Sequence, residues 1–308
     1  MNAAIRPQHR ARQSDSFARR RRSRAAIGAA AGLAALASWA FVAVRLAGAS
    51  FMTVSTINVY GADPDIVPAI QAAAAGALDG TYAGLFPRSD VWIYPHADVA
   101  EAVASSSPRI RTASVSRGQG NALDVSVTER VPAAVICPGF PNEDDSGAMQ
   151  PSGTCYYADD RGYIFEEAPA QPAPGLGLYY MPALASGGTA AAGILGSFAT
   201  SSAEFAALQA FVEDAQAAGI SSQAVLAKDG GEYELYADGL GAEGQGATSS
   251  KSLTVIYFDD AGGLAGELAD LRAFWLNAEA TGRAKGQLPG FEYIDVRYGS
   301  NVFYRLAK

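Results

Sequence analysis

Residues 25–44, AAIGAAAGLAALASWAFVAV, are apolar almost throughout and carry no charge. As a helix rising 1.5 Å per residue they span about 30 Å, the thickness of a bilayer's hydrocarbon core. The pattern then changes period. In Phe51–Gly61 the residues Val54, Thr56, Asn58 and Tyr60 face one way and Ser55, Ile57 and Val59 the other, which predicts a strand ended by Gly61. Asp63-Pro64-Asp65 is a helix-start signal, and Ile66, Ile70 and Ala73/Ala74 follow on one helical face until Gly76 and Gly80. Residues 80–95 read as loop, and Asp98–Ser105 as a second short helix through Val99 and Val103, stopped before Pro108. Arg109–Arg117 and Ala122–Arg130 read as two strands joined by the turn residues Gly118–Asn121. In the second of them Leu123, Val125 and Val127 alternate with Asp124, Ser126 and Thr128. Residues 51–130 thus form a β-α-α-β-β unit of the α+β class.

Residues 131–308 predict a second, sheet-rich unit. Its strand candidates are Ala133–Cys137, Cys155–Ala158, Tyr163–Glu166, Leu178–Met181, Ala224–Ala227, Tyr233–Ala237, Leu253–Phe258, Phe291–Tyr298 and Asn301–Leu306, the last two joined across Gly299-Ser300. Two amphipathic helices interrupt them, Ala203–Ala218 and Leu264–Ala280, with Gly219 and Gly282 at their ends. Linkers rich in Pro, Gly and Ala lie at 138–153, 168–177 and 184–197, and Gly239–Gly246 reads as a flexible loop.

Charge changes this picture at one point. Residues 1–24 hold eight arginines against Asp15, a net +7, so the rest of the chain carries −15 of the overall −8. The cluster Arg19–Arg22 with Arg24 directly precedes the apolar run, and the positive-inside rule then keeps the N-terminus cytoplasmic. A basic tail beside an apolar run of this length is a topology signal more than a nucleic-acid site, so no nucleic-acid partner is expected. Ala47-Gly48-Ala49 has the form of a signal-peptide cleavage site, but the apolar run exceeds the usual length of such a peptide, which favours an anchor over residues 25–47 contacting the lipid bilayer.

The two cysteines, Cys137 and Cys155, fall on the outer side of such a topology, where a bridge persists. They bracket a loop between two strand candidates. A disulfide and a pair of free thiols both fit this spacing. No catalytic, cofactor or metal residues are expected: His96, the one histidine outside the tail, reads as a solvated loop residue, and Asp159-Asp160 and Asp259-Asp260 read as turns. Glu129-Arg130 before Pro132 reads as a hinge-like junction, and Asp295 and Arg297 share a strand face and are expected to pair.

Three strings in order after a single anchor carry a family likeness: Ile57-Asn58-Val59-Tyr60-Gly61; Pro108–Arg117 followed by Leu123–Ala133 with its Glu129-Arg130-Val131-Pro132-Ala133 ending; and Tyr293-Ile294-Asp295-Val296-Arg297-Tyr298. In this the chain resembles the FtsQ/DivIB family of cell-division proteins. The proline that the family carries between its two late POTRA strands is replaced by Gly118-Gln119-Gly120, and residues 80–95, 138–153 and 184–200 are longer. The resemblance implies a cytoplasmic tail (1–24), a transmembrane anchor (25–47), a POTRA domain (51–130) and a β domain (131–308), in a single-pass inner-membrane protein at the division septum. It implies a non-enzymatic scaffold that joins FtsB- and FtsL-like coiled-coil proteins and other divisome membrane proteins, by strand addition at its C-terminal edge. The residues it points to are Arg297, Tyr298 and Ser300. Two other classes compete: a POTRA-containing assembly or secretion factor, and an extracytoplasmic cell-wall enzyme.

Overall fold

The computed structural model describes residues 11–47, 52–143, 149–150, 153–172, 174–186, 193–238, 253–260, 263–285 and 290–307. The Gly-rich stretch 239–246, residues 1–10 and parts of the linkers at 138–153, 168–177 and 184–197 lie outside them. The protein is a mixed α+β chain with one N-terminal apolar helix, and it divides into two compact units, Met1–Ser107 with Thr112–Val127, and Pro108–Arg111 with Thr128–Lys308.

The first unit opens with α1 (Ala11–Ala47), within which Arg24–Val42 is long and apolar enough to cross a membrane and is wholly unburied. There follow β1 (Thr56–Tyr60), α2 (Val67–Ala77), β2 (Thr81–Tyr82), β3 (Phe86–Pro87), α3 (His96–Ser105), β4 (Ile110–Arg117) and β5 (Ala122–Glu129). The sheet order is β1-β5-β4, with β1 parallel to β5. The alternation read in β5 is the burial pattern: Leu123, Val125 and Val127 are buried, as are Ile70 and Ala74 of α2 and Val99 and Val103 of α3.

Three local readings are corrected here. Residues 64–66 form a turn in which the Ile66 N–H donates to the Asp63 carbonyl, so α2 starts three residues later than the Asp63 signal implies. Its first-turn proline is Pro68, at a position that needs no N–H donor. His96 is exposed but opens α3, stacked on Tyr94 at 5.3 Å. Residues 80–95 are more than loop: β2 and β3 pair as a small hairpin, and Thr53 bridges Asp90.

The second unit contains β6 (Ala134–Cys137), β7 (Asn142–Glu143), β8 (Met149–Gln150), β9 (Tyr156–Ala158), β10 (Ile164–Glu167), β11 (Gly177–Tyr180), α4 (Ala183–Ser186), α5 (Ser202–Ala217), β12 (Ser222–Ala227), β13 (Glu232–Ala237), β14 (Thr254–Asp259), α6 (Leu264–Lys285), β15 (Phe291–Tyr298) and β16 (Asn301–Leu306). Nine strands form one mixed sheet in the order β10-β9-β6-β11-β12-β13-β14-β15-β16. β11 is parallel to β12 and β14 to β15, and parallel neighbours need a crossover rather than a hairpin. α5 and α6 supply those crossovers. Both lie on one face, where Phe205, Leu208 and Phe211 of α5 and Leu271 and Trp275 of α6 share a core with Ile256, Phe258, Ile294 and Val296 of the sheet.

α5 ends in a Schellman arrangement: the Ile220 N–H donates to the Ala215 carbonyl at 3.0 Å and the Gly219 N–H to Gln216 at 2.9 Å. Gly219 has φ +91°, which a side chain would strain. Gly282 has no such role. It lies inside α6, which continues through Arg283, Ala284 and Lys285, all good helix formers, so the helix outruns the end that Gly282 suggested.

On the opposite face of the sheet, a smaller cluster of Val135, Cys137, Cys155, Tyr180, Ala224 and Leu226 is buried. Cys137 and Cys155 are bridged, with Cα atoms 4.3 Å apart. Closing a loop of 18 residues stabilises the fold by about 3 kcal/mol in the chain-entropy account.

The Glu129-Arg130 string is fully engaged within this unit. Glu129 accepts from Arg109 Nη2 at 2.8 Å. Arg130 donates through Nη1 to Asp159 Oδ2 at 2.5 Å and through Nε to the Pro108 carbonyl at 3.0 Å, with its guanidinium 3.8 Å from the centre of the Tyr163 ring. Asp159 opens the expected turn, with the Gly162 N–H donating to its carbonyl; its side chain is wholly buried, and its other carboxylate oxygen accepts from the Arg161 and Tyr163 N–H groups. Asp160 is the exposed member of the pair and meets Arg111 at 2.9 Å. Asp159→Ala would leave a largely buried guanidinium without its carboxylate and two backbone donors without their acceptor; it is expected to cost about 3 kcal/mol, read as a lowered urea midpoint with an unchanged slope.

Candidate partner-binding edge

A nine-stranded open sheet has two edges, and the two are treated differently. At the β10 edge, residues 194–199 return along the strand. The Ile164 N–H donates to the Ser197 carbonyl and the Gly196 N–H to the Ile164 carbonyl, both at 2.8 Å, and Tyr163 bridges Phe198. Glu166 and Glu167 add charge there. At the other edge, β16 pairs only with β15 among the described residues. On an edge strand alternate residues direct N–H and C=O groups away from the sheet, as a template for another strand.

The hairpin that makes this edge is locally encoded. Gly299-Ser300 joins Tyr298 to its partner Asn301, and Gly299 has φ +60° at the first central position, where a type II′ turn needs it. The pairing shifts register between Phe291 and Tyr293 and again between Asp295 and Tyr298, irregularities that increase twist.

Tyr298 and Phe303 meet edge to face at 5.3 Å and are both exposed, Phe303 by 54%. Tyr304 lies 5.2 Å from the Phe274 ring of α6 and 5.7 Å from Phe291, and its remaining surface, like that of Leu306, faces solvent. Ser300 is exposed in the turn. Arg297 is committed elsewhere. Its Nε and Nη2 donate to the two carboxylate oxygens of Asp295 at 2.9 and 2.8 Å, and Nη1 is 3.3 Å from Glu232. The hydrogen bonds and charge of Asp295 raise its pKa further above the ordinary arginine value. Of the residues that the sequence singles out, Tyr298 and Ser300 are thus presented to solvent, while Arg297 is a strand clasp with its guanidinium 5.3 Å from the Tyr257 ring.

Sequence reasoning missed Phe303, Tyr304 and Leu306. The available signal was the run Val302-Phe303-Tyr304, which does not alternate. Two adjacent aromatics on a strand cannot both face one core.

A carboxylate behind this edge is held out of water. Glu267, in the first turn of α6, is buried and accepts the Asp259 N–H at 2.8 Å. Burial raises its pKa to about 7, and the charges of Asp259 and Asp295 add to the rise while the Asp259 amide opposes it. Asp259-Asp260 therefore does more than turn the chain.

In comparisons with known proteins, no family model matches the chain and no curated protein matches it.

Because the folded-state pKa of Glu267 lies above the ordinary carboxyl value of 4.5, the folded state binds its proton more tightly. Stability from this group is present below about 4.5 and is lost as pH rises through about 7. Glu267→Gln should raise the thermal midpoint relative to the parent at pH 8, and the gain should shrink toward pH 5.

Proposed function

We propose that this protein is a membrane-anchored, non-enzymatic scaffold that captures an extended partner segment by strand addition at β16. Its particular place is that of an FtsQ/DivIB-type cell-division protein, recruiting FtsB- and FtsL-like coiled-coil proteins and other divisome membrane proteins at the septum. The observation that carries this reading is the contrast between the two sheet edges: β10 is covered at its start by residues 194–199, whereas β16 offers backbone groups flanked by Tyr298, Phe303, Tyr304 and Leu306. Main-chain pairing supplies affinity in strand addition, and alternate side chains supply selectivity. Aromatic side chains are the usual anchors of such contacts.

The order β1-α2-α3-β4-β5, with β1 parallel to β5, supports reading the first unit as a POTRA domain. The arginine cluster before residues 25–47 supports a cytoplasmic N-terminus and an extracytoplasmic body anchored in the inner membrane.

The full-length protein in detergent should co-purify with the extracytoplasmic segments of its FtsB- and FtsL-like partners. Tyr298→Ala and Phe303→Ala should each weaken the complex about 30-fold, the equivalent of about 2 kcal/mol. Ser300→Glu should weaken it too, while the far-ultraviolet spectrum is kept. No complex at micromolar concentrations, or a complex indifferent to all three changes, would remove the basis of the reading.

A further inference from the structure

The chain enters the first unit at one pole of its sheet. β1 and β5 run parallel with Thr56 opposite Ala122, so both start at the same end. β4 finishes there at Arg117, and the Ser55 N–H donates to the Asn121 carbonyl in the β4–β5 turn at 2.9 Å. The segment between α2 and α3 is tied to the same place. The Val54 N–H donates to Ser89 and the Val91 N–H to Met52, both at 2.8 Å, around the Thr53–Asp90 bridge. Everything at this pole lies close to the end of the apolar stretch Arg24–Val42. The ten residues from Val42 to Met52, helical as far as Ala47, reach at most about 25 Å.

What this pole displays is unusual for an acidic protein. Trp92 is 65% exposed, and Leu85, Ile93 and Tyr82 are exposed with it. Arg117 lies over the Trp92 ring at 3.7 Å, and Arg88 lies 5.9 Å from the Tyr82 ring. The one carboxylate within residues 81–93, Asp90, is buried and accepts the Trp92 N–H at 2.8 Å. No other acid occurs in residues 52–58 or 112–121, although residues 25–308 together carry −15; the acids that reach this pole from outside, Asp98 and Asp124, are paired with Arg88 and with the Asn58 side chain.

We propose that this pole rests in the lipid headgroup layer, with Trp92, Ile93 and the neighbouring hairpin at the acyl boundary and Arg117 toward lipid phosphates, while Arg88 stays paired with Asp98. Amphipathic rings favour that layer, and guanidinium groups pair with phosphate. The headgroup regions are each only several ångströms deep, so a short hairpin suffices to reach through one. The proposal rests on reading residues 24–42 as a membrane span; it does not depend on the partner strand at β16.

The test uses the full chain carrying Trp39→Phe, so that the remaining tryptophans are Trp92 and Trp275, the latter buried in the second unit. It is incorporated into phosphatidylcholine–phosphatidylglycerol vesicles with or without bromine on the acyl carbons nearest the headgroups. The brominated lipid should remove most of the emission contributed by Trp92. That loss should disappear when Trp92→Phe is added and shrink with Leu85→Ser plus Ile93→Ser. Trp92 is a surface residue, so its replacement leaves the fold in place. If the chain floats with the vesicles but bromine leaves the emission unchanged, the span stands and the surface contact is overturned. If the chain does not float with the vesicles at all, the span fails and the contact with it.

Discussion

Parallel neighbours cannot be joined by a two-residue turn, and this constraint arranges the second unit. β11 and β12 run in parallel, as do β14 and β15, and each pair steps one strand further in the same direction across the sheet. Crossovers of one hand, stepping the same way from strands of the same direction, must lie on the same face. α5 and α6 therefore share a side and a core. Among the described residues no helix lies on the other face, and α6 reaches β16 only from the core side, where Phe274 meets Tyr304. The disulfide-bracketed segment covers part of that face over β11 and β12, where Tyr180 donates to the Gln150 carbonyl and the Met149 N–H donates to Gln223 at 2.9 Å.

Beyond that cover the open face is held by polar and aromatic pairs rather than by an apolar core. Tyr236 donates to Glu234 at 2.7 Å, Lys228 pairs with the same carboxylate, and Arg297 joins Asp295, Glu232 and Tyr257. Burial and the Glu234 carboxylate both push the Tyr236 hydroxyl above its ordinary pKa, which keeps it a donor. Such pairs contribute little each to stability, but they fix strand spacing beside a free edge. The two register shifts between β15 and β16 add twist, a device that limits indiscriminate edge-to-edge pairing.

Local chemistry made much of this legible. The bounds of β15 and β16 follow from the sequence because Gly299-Ser300 is turn chemistry between two β-branched and aromatic runs. The period in β5 predicts its buried face for the same reason. What was not legible depends on neighbours far along the chain. That β16 is an edge and β10 a covered one is a property of strand order, and nothing near Phe303 states it. The burial of Asp159 depends on Arg130, 29 residues away, and the fate of Arg297 on Glu232 as well as on its near neighbour Asp295. The β2–β3 hairpin was hidden because each of its strands has two residues, too few for a period. Gly282 misled because propensity is a weak prior when the residues beyond it favour helix.

An edge that binds by backbone pairing still has to choose a register. A slip of one residue carries every side chain of the incoming strand to the opposite face. At β16 the two faces differ. Tyr298 and Phe303 form an exposed edge-to-face pair on one side, and on the other Tyr304 lies against Phe274 of α6. A strand added here in the proposed manner meets an exposed aromatic pair on one face and a step against a helix on the other. A partner with its bulky residues out of phase would bury one face poorly and strain the other. In the proposed mode the aromatic residues of this edge would do for specificity what its outward N–H and C=O groups would do for affinity, and the clasp of Arg297 on Asp295 lies on the neighbouring strand β15.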